Sequence, residues 1–100
     1  MNQMQQMLVQ AQKMQRQLQK AHAELEAKEF KIEKAGLVTV ILTGDNKVKS
    51  IDIDKDALNP DDAEMVQDTI ISAINEALDQ ISEESAKIEE EITGRSGGLF

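Results

Sequence analysis

Met4, Met7, Ala11, Met14, Leu18, Ala21 and Leu25 recur at alternating steps of three and four residues. An apolar row with this spacing stays on one side of an α-helix and has to be covered by a second helix. The chain therefore opens with a long helix that has one apolar edge and one positive edge. The spacing predicts it from about Asn2 to about Ala27, roughly 39 Å at ~1.5 Å per residue. Gln dominates the rest of its surface, and Lys13, Arg16 and Lys20 are the only charged side chains before Glu24. With Met4 at heptad position a, Lys13 and Lys20 fall at c and Arg16 at f, so all three lie away from the apolar row.

The period changes from helical to two-residue at Lys28. Phe30 and Ile32 alternate with Lys31 and Glu33, as in a strand with one buried face. Ala35-Gly36 offers a turn, and Leu37 to Thr43 is β-branched and apolar enough for a central strand covered on both faces. Gly44-Asp45-Asn46 reads as a second turn. Val48 to Asp54 follows as a third strand with Ile51 and Ile53 on one face. Such short connections imply an antiparallel meander. Asn59-Pro60-Asp61-Asp62 then reads as a helix start, with a capping side chain, a proline at the first helical position and acids at the positive helix end. Val66, Ile70, Ile74, Ala77, Ile81, Ile88 and Ile92 continue it at about helical period, and Gly94 offers a stop. The expected organisation is α+β: long helix, three-stranded antiparallel sheet, long helix, in one domain over 1–93 with a flexible Gly-containing tail over 94–100.

Lengths bear on assembly. A seven-residue strand spans about 23 Å, whereas a second helix of about 33 residues spans roughly 50 Å. Both helices overhang the sheet, so either they cover each other or a second chain covers them, and a homodimer is expected.

Composition removes several classes of function. The chain lacks Cys, Trp and Tyr, which excludes disulfides, thiolate metal sites and a cysteine nucleophile, and leaves no indole or phenol platform for stacking unpaired bases. No apolar run is long enough to cross a membrane, and the N-terminal stretch lacks the apolar core of a signal peptide. His22 is the only histidine and flanks the apolar row. Asp52 and Asp54 alternate as on a solvated strand face, and Glu89-Glu90-Glu91 reads as a solvated helix surface. No metal, cofactor or catalytic constellation emerges.

Charge is distributed unevenly. The net charge is -8, yet residues 1–23 carry +3, residues 24–59 carry -2 and residues 60–100 carry -9. Lys13, Arg16 and Lys20 lie within about 60° on one helix face, a pattern suited to phosphate oxygens. A dimer presents six such charges. An acidic helix repels DNA within about a Debye length, ~8–10 Å, so duplex contact requires the carboxylates to face away. The competing reading is an acidic protein-interaction module that meets a replication or repair protein through its second helix.

Taken in order, Gln10-Ala11-Gln12-Lys13-Met14-Gln15, Ala35-Gly36-Leu37-Val38-Thr39-Val40, Val48 through Ile53, Asn59-Pro60-Asp61-Asp62 and Ala73-Ile74-Asn75-Glu76-Ala77-Leu78 resemble the YbaB/EbfC nucleoid-associated proteins of bacteria. The resemblance extends over nearly the whole chain. It implies a homodimer with projecting helices, binding of double-stranded DNA with little sequence preference, altered DNA conformation, and a role in nucleoid organisation and gene regulation. It implies no enzyme activity, no cofactor and a cytoplasmic, nucleoid location, with replication or recombination proteins as further partners. Lys13 falls within the matching motif; Arg16 and Lys20 continue the same helix.

Overall fold

The computed structural model describes residues 2–94. Apart from Gly94, the expected tail lies outside the described residues.

Helix α1 spans Gln3–Ala27. Asn2 starts it through a reciprocal cap: its side chain accepts from the Gln5 backbone N–H at 2.8 Å, and the Gln5 side chain accepts from the Asn2 N–H at 3.2 Å. Two otherwise unpaired backbone donors are thereby satisfied. The helix ends at Lys28, whose backbone is extended and whose N–H bonds the Leu25 carbonyl at 3.0 Å.

Strands β1 (Glu29–Lys34), β2 (Val38–Thr43) and β3 (Lys47–Ile53) form an antiparallel sheet in the order β1-β2-β3. Phe30 lies opposite Leu42, Ile32 opposite Val40, and Val38 opposite Ile53, so the apolar residues share one face. Ala35 and Gly36 both take positive φ, 56° and 65°, between Lys34 and Leu37. Two successive left-handed residues match the right-handed twist of the flanking strands. At the second hairpin Asn46 supplies a φ of 65°, and the Thr43 hydroxyl donates to the Asp45 carboxylate, holding that carboxyl below its ordinary range. Ile41 pairs with Ser50 but Leu42 with Val48, leaving Lys49 as the extra residue of a bulge.

Among the described residues only one face of the sheet is covered. Val38, Val40 and Leu42 are almost fully buried, whereas Thr39, Ile41 and Thr43 are half-buried. The expectation of a strand buried on both sides is corrected accordingly: β2 is central, but a single helix layer packs on it.

That layer is α2, Ala63–Glu89. Its entry is tighter than the sequence implies. Asn59 does cap, accepting from the Asp62 N–H at 3.1 Å, but the turn it caps, Pro60–Asp62, is 3-10 rather than α. At the other end a five-residue π turn, Glu90–Gly94, continues the helical course. Val66, Ala73, Ala77 and Ile81 form the buried stripe on β1 and β2. The alanines let the helix axis approach the sheet closely.

The two long helices pair within one chain. His22 Nε2 lies 2.9 Å from Glu89 Oε1, and Lys28 Nζ lies 2.5 Å from Glu84 Oε1, so α1 and α2 run antiparallel. Coverage of the apolar row is graded: Leu25 is buried, Ala21, Leu18 and Met14 are half-buried, and Ala11, Met7 and Met4 are exposed. The N-terminal half of α1 thus projects past the end of α2 as an arm, and the chain measures 71 × 22 × 15 Å.

Candidate nucleic-acid interface

The three predicted cations stand together on α1. Lys13, Arg16 and Lys20 are all exposed, and their spacing spreads them over about 10.5 Å of helix. They occupy the side opposite the apolar row. Packing of Met14, Leu18 and Leu25 onto the rest of the molecule therefore sets their direction: the buried row faces α2 and the cations face solvent. Gln6 and Gln17, at helical spacing from Lys13, flank the row and add exposed amide donors.

Their electrostatic surroundings distinguish them from the lysines of the sheet and its connection to α1. Lys55 and Lys87 are likewise exposed and enter no ion pair among the described residues, but each stands apart from any other unpaired cation. Lys34 lies 2.7 Å from Glu76, Lys31 lies 3.3 Å from Glu33, Lys47 lies 3.7 Å from Asp45, Lys49 contacts Glu29, and Lys28 meets Glu84 as noted above. The sheet and its connection to α1 are in this way largely neutralised. Among the described residues, Lys13, Arg16 and Lys20 enter no ion pair. Spacing along the sequence places the three on one face but does not reveal this contrast. The Lys31–Glu33 and Lys47–Asp45 pairs are local, two residues apart. The Lys28, Lys34 and Lys49 pairs exist only because the fold brings separate segments together.

The remaining candidates have structural roles. His22 joins α1 to Glu89 at the end of α2. Asp54 accepts from the Asp56 N–H at 2.8 Å and starts the short turn Lys55–Ala57. Asp52 lies opposite Thr39 on the uncovered face of the sheet. Among the described residues no cluster of histidine and carboxylate side chains is arranged to hold a metal ion, and no helix is long and apolar enough to cross a membrane.

A linear row of flexible cations and amides suits the regularly spaced oxygens of a phosphodiester backbone. Contacts of that kind position a protein on a duplex without reading its bases. The row lacks the bidentate Arg and Asn grouping on base edges that direct readout requires.

The sequence matches the family described as "YbaB/EbfC DNA-binding family" over residues 1–96. A protein of Clostridium novyi named a nucleoid-associated protein is 46% identical over 89 residues, covering 88% of this chain and 78% of the relative. One of Ruminiclostridium cellulolyticum with the same name is 40% identical over 94 residues, covering 93% and 82%. One of Lactobacillus acidophilus, also so named, is 47% identical over 81 residues, covering 80% and 73%.

Proposed function

The chain belongs to the YbaB/EbfC DNA-binding family, and from that premise we propose that it is a nucleoid-associated protein that binds duplex DNA through the Lys13–Arg16–Lys20 face of α1. The observation that carries the site is the clustering of three exposed cations on one helix face, all without an acid partner among the described residues, while the lysines of the sheet are matched with acids. Binding is by phosphate contact with little sequence preference, and two such faces on one assembly alter the path of the duplex between them. The working location is the nucleoid, in the cytoplasm, and neither a catalytic step nor a cofactor enters this reading.

The working unit is a homodimer joined along β3. Among the described residues that strand has a neighbour on one side only, and α2 packs on β1 and β2 rather than on it. Val48 and Ile51 point to the core face yet remain 46% and 43% exposed. The other edge, β1, has its apolar residues buried and its outer residues charged, which discourages further pairing. Twofold pairing of β3 with its copy covers both apolar side chains and closes the assembly. Changing Ile51→Lys is expected to yield monomers by size-exclusion chromatography with light scattering; a mass unchanged from the parent protein rules out this edge.

A salt titration of duplex binding tests the function and the stoichiometry together. Each neutralised phosphate contributes about -0.9 to the slope of log K against log salt. Three contacts from one arm give about -2.7, and six from a dimer about -5.4. The expected slope is the steeper one, equal on AT-rich and GC-rich duplexes. Absence of binding even at about 50 mM salt refutes the assignment.

A further inference from the structure

The outward side of the first half of α2 has no partner among the described residues. Glu64 and Asp68 are exposed there, Asp61 is exposed in the 3-10 turn just before, and Met65 and Ile71 flank them at 46% and 58% exposure. This side lies directly across the helix from Val66, Ala73 and Ala77, which hold α2 to the sheet. None of the three acids enters an ion pair among the described residues, and no Lys or Arg occurs between Lys55 and Lys87. Lys34 borders the shallow groove beside Met65 and Asp68, but its ammonium is held by Glu76 at 2.7 Å.

The cation face of α1 is complementary in charge and in spacing. Arg16 and Lys20 are four residues apart on α1 and Glu64 and Asp68 four apart on α2, with Lys13 and Asp61 each three residues before, Asp61 in the 3-10 turn. Val9, 45% exposed, sits in line with Lys13 and Arg16 and offers an apolar contact for Met65 or Ile71. Within one chain the two faces cannot meet. The His22–Glu89 and Lys28–Glu84 pairs make the helices antiparallel, so the cations lie at and beyond the far end of α2. About 32 Å of helix separates Asp68 from Glu89.

We propose that the acidic face formed by Glu64 and Asp68 of α2, with Asp61 of the 3-10 turn that precedes it, receives the Lys13–Arg16–Lys20 face of α1 from a second copy of this chain. The contact joins different surfaces on the two partners, so unless one partner satisfies both faces reciprocally it propagates from subunit to subunit into rings or open chains. It is also electrostatic and exposed, hence weak and salt-sensitive. Self-association stands independently of the DNA reading. Competition with DNA rests on that reading, because both partners use the same cations.

Sedimentation velocity of the full chain without DNA, at about 50 mM and about 200 mM salt, tests the contact. The parent protein is expected to form faster-sedimenting species at the lower salt only. Asp61→Asn/Glu64→Gln/Asp68→Asn should need about tenfold more protein to form them while keeping its duplex affinity. Lys13→Gln/Arg16→Gln/Lys20→Gln should lose both properties. Ile71→Ser lies outside the first helical turn and should weaken association without touching the helix start; circular dichroism checks that each variant is folded. Identical sedimentation of the parent protein at the two salts overturns the proposal, as does parent-like association of a folded acid variant. Added duplex should dissolve the assemblies, and a duplex that binds while leaving them intact overturns the shared use of the cations.

Discussion

Replacing Lys13, Arg16 and Lys20 together by Gln should weaken duplex binding by about two orders of magnitude or more and bring the salt slope close to zero. In a dimer the change removes six cations, and release of condensed counterions from phosphates supplies nearly all of non-specific affinity. Gln is almost as good a helix former as Lys or Arg and retains hydrogen-bonding capacity, so the loss isolates charge from fold. The three residues are exposed and enter no ion pair among the described residues, so helix content and melting temperature should stay within the scatter of the parent protein. The loss should be equal on every sequence, because phosphate contacts carry no base code. Gel-shift or fluorescence-anisotropy titrations at several salts read both quantities, and an unchanged slope would remove these residues from the interface.

The second large effect concerns how the arm is held. Gly44 closes β2 directly beneath the corner where α1 passes into β1. Its N–H donates to the Lys28 carbonyl at 2.9 Å, while the Leu25 carbonyl accepts from the Lys28 N–H at 3.0 Å. A Cβ at this position would stand 1.8 Å from the Leu25 oxygen and 2.6 Å from its carbon. These are backbone atoms in a bonded turn, so no side-chain rotation relieves the collision. Gly44→Ala should therefore destabilise the fold by about 3 kcal/mol, at the upper end of ordinary overpacking. For a domain of this size that lowers the melting temperature by roughly 12–24 °C. In the proposed dimer, stability depends on protomer concentration, so the comparison must be made at equal concentrations. A loss below about 1 kcal/mol would mean that the corner yields easily and that the arm's direction is not set there. Gly36 has the opposite requirement: no atom lies within 4 Å, but its φ is +65°, so conformation rather than space calls for glycine.

Much of the architecture is legible because local patterns and the tertiary fold agree. The heptad row marks α1 from Asn2 onward, and alternation at Phe30 and Ile32 announces β1 and its buried face. Asn59 and Pro60 mark the approach to α2. Departures occur where neighbours compete with local preference. Asp62 binds back to Asn59 through both its N–H and its carboxylate, tightening the first turn to 3-10. Lys49 is extruded from the β2–β3 ladder, a two-against-one pairing with no signature in residue type. Ile41 is apolar by sequence, yet it faces the side of the sheet that α2 does not cover.

The candidate site divides in the same way. The one-sided row of Lys13, Arg16 and Lys20 follows from the 3.6-residue helical period and is determined by sequence alone, as are the arm's apolar stripe and the acidity of α2. Tertiary structure alone decided that α1 and α2 pair antiparallel within one chain, that the pairing stops near Met14, and that the lysines of the sheet are matched with acids while those three cations are not. The reason is physical: periodicity is a property of a segment, whereas coverage and charge pairing depend on which distant segment arrives beside it.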